Sequence, residues 1–251
     1  MNLELEGKVA LVTGGARDVG REIALALAAE GAAVAVNYNS SPDQAEAVAQ
    51  LIRSNGGQAA AFKADVSNLA DVQGMAARIM EQFGRIDVLV NNAGLVLRER
   101  FVDTKPEDWA IQIGVGLYGV IHTCHTVVPI MVKQNSGRII NLAGDSARVG
   151  EGGLSITAAA RGGMIALTKS LARELGRNHI TANAITLGLM KTAHTDAAWL
   201  DKNLEKILRN YPVRRIGEST DVAPLVTLLA SARASWITGQ VMSVNGGYSM
   251  V

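Results

Sequence analysis

Only one of the 251 residues is a cysteine, Cys124, so no internal disulfide framework can form and the chain fits a reducing compartment. An excess of one charge is also missing. Twenty-four basic residues stand against 23 acidic ones, a formal net charge of +1, which leaves no electrostatic footprint for nucleic acid or an acidic membrane surface. Small molecules or other proteins remain as partners. Proline is scarce at five residues, and no Pro/Ser-rich or charged linker interrupts the chain, which favours one α/β domain over residues 1–251. No apolar run reaches the ~18–20 residues of a membrane span, and the start "MNLELEGKVALVTGG" carries no basic stretch ahead of a long apolar one. The expectation is a soluble, cytoplasmic protein. What is present is apolar material, 48% of the residues, enough to bury a full core.

That material is ordered as short β-rich runs alternating with helix-length segments. "KVALVT" (8–13) is followed by "REIALALAAEG" (21–31) and "AAVAVN" (32–37). Later strand candidates are "QAAAFKAD" (58–65), "RIDVLVNN" (85–92), "GRIINLA" (137–143), "ITANAIT" (180–186) and "QVMSVNGG" (240–247). Strands apolar on both faces and joined by helices must pair in parallel under two helical layers. The expected fold is a single-domain, doubly wound Rossmann-type parallel sheet of about seven strands.

"TGGARDVG", Thr13 to Gly20, sits where the first strand turns into the first helix, the context in which a glycine-rich loop holds phosphate. Gly14 and Gly20 permit the tight turn and close helix packing, and the free N–H groups of a helix start attract pyrophosphate. Asp18 stands at the middle glycine of that spacing. Its carboxylate either repels the pyrophosphate or turns away to cap the helix. After the second strand come Asn37, Tyr38 and Asn39, with no acid for a ribose 2′-hydroxyl, so Arg17 favours NADP over NAD.

Taken with "AD" (64–65), "NNAG" (91–94), "GRIIN" (137–141), "LTKSLAREL" (167–175) and "TGQVMSVNGGY" (238–248), the loop makes the chain resemble the classical short-chain dehydrogenase/reductase family over almost its whole length. The resemblance implies NAD(P) binding, with Asn91, Ala93 and Gly94 beside the adenosine ribose, Asp65 and Val66 bordering the adenine, and Thr192 contacting the carboxamide. It also implies a catalytic tetrad. Its tyrosine falls at Thr157, its lysine at Arg161, its serine at Gly144 and its asparagine at Gly116. None of the four residue types is kept, and Leu187 replaces the proline of the usual "PG" before Gly188.

A general acid/base contributes roughly 10²- to 10⁴-fold and an oxyanion donor roughly 10²- to 10³-fold, so losing both removes most acceleration of the chemical step. An aliphatic hydroxyl such as that of Thr157 is far less acidic than a phenol, and Arg161 keeps its proton at ordinary pH. The leading expectation is therefore a catalytically silent subunit with weak or no NAD(P) binding, paired with an active sibling in a heterotetramer. It is similar in this to heterotetrameric hydroxybenzylsuccinyl-CoA dehydrogenases that combine active and inactive chains. Two long helices, about 107–133 and 156–176, carry more apolar residues than one sheet-facing stripe needs and would supply the interface.

The alternative is an NAD(P)-dependent oxidoreductase with relocated catalytic groups, or a non-redox lyase on the same scaffold. Asp145 and Ser146 follow the vacant serine position and are the candidates for relocation. Arg161 also resembles the arginine of halohydrin dehalogenases, although that branch keeps its tyrosine and serine. "HTCH" (122–125) places His122 and His125 on one helical face beside Cys124, where packing is a better reading than a metal site because no third ligand converges. "RER" (98–100) and "KNLEKILRN" (202–210) read as solvated surface.

Overall fold

A computed structural model describes residues 2–193, 195 and 197–251. Seven strands form one parallel sheet in the order β3-β2-β1-β4-β5-β6-β7. They are β1 (Val9–Val12), β2 (Ala33–Tyr38), β3 (Ala59–Lys63), β4 (Val88–Asn91), β5 (Gly137–Gly144), β6 (Ile180–Leu187) and β7 (Val241–Val244). Each expected strand is present and the doubly wound fold stands. Successive residues of β1 alternate between the two faces. Ala10 and Val12 pack with Val19, Ile23 and Leu27 of α1 (Asp18–Ala29) and with Val226 and Leu229 of α9 (Ala223–Ala230). Val9 and Leu11 face Met75 and Ile79 of α3 (Leu69–Phe83), Val127 and Met131 of α5 (Gly119–Gln134), and Met164 of α7 (Ser155–Leu175).

Chain order reverses between β1 and β4, so the loops leaving the carboxyl ends of those strands diverge and leave a crevice, where ligands of such sheets bind. At the opposite, amino end of these central strands stands Asp87, 4% exposed. It accepts from Val9 N–H (2.9 Å), Arg85 Nε (2.7 Å) and Arg85 Nη2 (2.6 Å), which ties the entry of β4 to that of β1.

The helix expected over 107–133 is not uniform. It runs as α4 (Pro106–Ile113), one π-helical turn (Gly114–Tyr118) and α5. Gly114 and Gly116 lower the helical preference of that turn, and the wide turn lets Gly119 approach Val66, where an added Cβ would come within 2.8 Å of Val66 Cγ2. Residues 106–134 together are long and apolar enough to span a membrane, although their inner face packs on the sheet. "KNLEKILRN" lies mostly in α8 (Ala197–Leu208).

Candidate active site

The phosphate loop is fastened by Thr13. Its buried Oγ1 accepts from the N–H groups of Asn92 and Ala93, both at 3.0 Å, and donates to Val90 O, so β1 and β4 end in one joined turn. Gly14 takes φ +60°, and a Cβ there would lie 3.1 Å from Ala93 Cα. A Cβ on Gly20 would collide with the Gly14 carbonyl. Backbone therefore approaches backbone with nothing between, which is the concavity a pyrophosphate needs.

Asp18 does not cap α1. It lies inside the first turn at φ +47°, a left-handed conformation uncommon for a residue with a side chain, while Arg17 occupies the cap position and stays exposed. The Asp18 Oδ1 accepts from Ala193 N–H at 2.8 Å, across the crevice. Neither repulsion of the pyrophosphate nor capping describes it: the carboxylate is spent on the segment after Thr192. The Thr192 amide in turn donates to Thr195 Oγ1 at 2.9 Å.

The polar side chains around the loop are held by the fold, and Asn91 is turned away from the nucleotide altogether. Asn37 accepts from Gly14 N–H (3.2 Å) and donates to the carbonyls of Phe62 and Ala64 (3.3 and 3.1 Å). Asn91, placed beside the ribose by resemblance, turns its side chain inward at 2% exposure. It donates to Asn141 Oδ1 (2.8 Å) and accepts from Thr123 Oγ1 (2.7 Å), and Asn141 donates onward to Thr168 Oγ1 (2.8 Å). That buried ladder joins β4, β5, α5 and α7, because a polar side chain in the core must find partners. Ala93 and Gly94 stay at the rim, half-buried and exposed. Asp65 accepts from Ser67 N–H and Oγ (2.9 and 2.7 Å), and buried Val66 offers its carbonyl to His122 Nδ1 at 3.0 Å. Cys124 is buried and its thiol is pushed up to about 12, which makes it inert. His125 is exposed, and no cluster of three metal-ligating side chains occurs among the described residues.

The four tetrad positions do converge. Gly116, Thr157 and Arg161 line one small cavity of about 20 Å³ with Gln112, Leu95 and Met164. A Cβ on Gly144 would run into the Arg161 guanidinium, so the arginine fills the place of the absent serine side chain. Gly116 lies against Ala160, whose Cβ would be 3.4 Å from an added Cβ. Buried Thr157 donates to Gln112 Oε1 at 2.6 Å, and Leu97 N–H donates to the same oxygen at 3.4 Å. Gln112, 3% exposed, thus occupies room that a tyrosine ring would take. The only sign of it in the sequence is one amide inside the apolar run "WAIQIGVG".

Arg161 makes no hydrogen bond and no ion pair within 4 Å among the described residues. Burial lowers its pKa, partly offset by the charge of Glu151, and it remains a cation. Asp145 accepts from Asn245 Nδ2 at 2.5 Å through one oxygen, while its other oxygen and Ser146 Oγ are buried without partners. Tyr211 and Tyr248 stack at 5.2 Å nearby, and burial raises both phenols, the opposite of an activated proton donor.

Residues 14–249 match the family model described as enoyl-(acyl carrier protein) reductase. The 3-oxoacyl-(acyl-carrier-protein) reductase of Staphylococcus aureus (strain Mu50 / ATCC 700699) is 43% identical over 243 residues, covering 97% of this chain and 98% of its own. The chain belongs to the short-chain dehydrogenase/reductase family. The reductase of the same name from Escherichia coli (strain K12) is 36% identical over 249 residues, 99% of this chain and 100% of that one. A short-chain type dehydrogenase/reductase from Mycobacterium marinum superposes with a TM-score of 0.93 at 30% identity, covering 100% of this chain and 98% of that structure.

These relatives overturn the expectation of a catalytically silent subunit. Chains sharing two residues in five along nearly the whole length carry the name of a reductase. The expectation of weak or absent NAD(P) binding falls with it, because the chain belongs to a family of nicotinamide-dependent reductases, and Asp18 turns one carboxylate oxygen to Ala193 N–H across the crevice.

Proposed function

We propose that the chain is an NAD(P)-dependent oxidoreductase that interconverts a carbonyl compound and an alcohol with relocated catalytic groups, Arg161 holding the reacting oxygen. The observation that carries this is the guanidinium seated over Gly144 with no hydrogen-bond or ion-pair partner among the described residues. The loop from Thr13 to Gly20 fits a pyrophosphate, Asp65, Val66, Ala93 and Gly94 border the adenosine end, Thr192 the carboxamide, and exposed Arg17 selects a 2′-phosphate. When bound, the dinucleotide supplies or accepts the hydride. On reduction, negative charge grows on the substrate oxygen, and a half-buried cation already in place stabilises it with little reorganisation. Arg161 does not give up its proton. The proton that completes the alcohol comes from water at the mouth of the cleft, since neither Thr157 nor a raised phenol can supply it.

Titration of the purified chain with NADPH and NADH, followed by assay against aldehydes, ketones and a 3-oxoacyl thioester, tests this. NADPH is expected to bind with a micromolar constant or tighter, and at least one carbonyl to be reduced with oxidation of the nucleotide. No binding below about 1 mM and no turnover overturn it.

We also propose assembly with an active sibling chain of the family through the outer faces of the helices 106–134 and 155–175. Ile111 and Tyr118 are half-exposed there, with apolar Val132 on the same stretch. Native mass measurement after co-expression is expected to give a mixed tetramer. A chain that ignores the sibling overturns this.

A further inference from the structure

The cavity at the tetrad positions holds a second unused donor. Gln112 spends its Oε1 on Thr157 and Leu97 N–H, which fixes the amide, and its Nε2 group makes no hydrogen bond among the described residues although the residue is almost wholly buried. Two unpartnered donors, the Arg161 guanidinium and the Gln112 amide, therefore share a space of about 20 Å³ walled by Ala93, Leu95, Leu142 and Met164. Arg161 is half-buried, and neither donor is sealed from solvent, so both can take a ligand oxygen, and the guanidinium favours an anionic one. Water alone would satisfy the amide and leave the charge uncompensated.

Resting on the reading that Arg161 holds the reacting oxygen, we propose that the substrate is a small 2-oxo acid, reduced to the 2-hydroxy acid, whose carboxylate is gripped by Arg161 and Gln112. A guanidinium presents five donors in a planar fork that matches a carboxylate, and donors at its edge reach an oxygen on the adjacent carbon. A carbonyl next to the carboxylate sets the two oxygens close enough for one guanidinium to hold both. A water needs roughly 10–15 Å³, so the enclosed space of about 20 Å³ admits no more than an oxygen or two of such an acid, while its carbon chain lies toward the mouth beside Leu95. The step balances: with NADPH as the two-electron reductant, hydride adds to carbon 2, the carbonyl π electrons become the alkoxide lone pair, water donates the proton and leaves hydroxide, NADP⁺ remains, and the carboxylate is unchanged.

The test has an arm that needs no turnover. Oxamate, an unreactive 2-oxo carboxylate isostere, is titrated calorimetrically into the chain, into Gln112→Glu and into Arg161→Lys. Gln112→Glu keeps the acceptor for Thr157 and Leu97 but replaces the donor by a charge that repels the carboxylate, so oxamate affinity is expected to fall by about 100-fold or more with the unfolding midpoint little changed. The second arm compares pyruvate, methyl pyruvate and butanone with NADPH, and pyruvate is expected to lead by at least about tenfold in kcat/KM. Oxamate binding indifferent to Gln112→Glu, or butanone reduced as well as pyruvate, overturns the inference while leaving the oxidoreductase reading intact. Gln112-dependent oxamate binding with no carbonyl reduced at all sustains the carboxylate grip and fails the redox reading.

Discussion

Arg161→Ala is expected to lower kcat/KM for carbonyl reduction by about 10²- to 10³-fold, the usual loss on removing an oxyanion donor. Arg161→Lys recovers only part of that, because an ammonium is a point charge on a flexible stem and cannot reproduce a planar fork lying against Gly144. The same geometry links two positions. Gly144→Ser alone places a side chain where the guanidinium sits and is expected to displace it, with a loss of activity comparable to Arg161→Ala. Combined with Arg161→Lys, the serine has room, so the pair should be non-additive by more than about 0.5 kcal/mol in stability. Steady-state kinetics and urea midpoints on the four chains decide. Activity untouched by Arg161→Ala contradicts the assignment of the oxygen to that residue.

Removing Asp87 is expected to cost about 2–4 kcal/mol, lowering the thermal midpoint by roughly 5–10 °C. The carboxylate takes three hydrogen bonds at the entry of β4, and its loss orphans the Val9 amide inside the sheet. Arg85 is 42% exposed and can return to water, which keeps the cost below that of a fully buried pair. Asp87→Asn keeps an acceptor for Val9 and should lose less than Asp87→Ala. Equal midpoints for wild type and Asp87→Ala, measured by denaturant unfolding, refute this.

How legible the fold was follows from its signals being local. The strand "KVALVT" is apolar on both faces because helices cover both, and each helix between strands shows its own period, so about seven strands and their parallel pairing could be read from the sequence, while their order in the sheet came from the structure. The π-helical turn at 114–118 could not, since the apolar period passes through it and only two glycines hint at the break. Asn91 shows the limit for polar residues. The motif "NNAG" gives its place in the turn, but whether its amide faces a ribose or the core depends on Asn141, Thr123 and Thr168, which are distant in sequence.

By itself the sequence determined the sheet and the phosphate loop, because each depends on residue type at a fixed spacing, and the family resemblance supplied the four positions expected to carry the tetrad. The tertiary structure decided what fills those vacancies. That Arg161 lies over Gly144, that Gln112 bonds Thr157 with its amide left over, and that Asp18 reaches Ala193 rather than capping its own helix are packing outcomes. They are set by distances between segments that share no local period. A substitution pattern that reads as loss along the chain becomes a cationic pocket only when β5, α4 and α7 are brought together, since charge and volume are settled by neighbours in space.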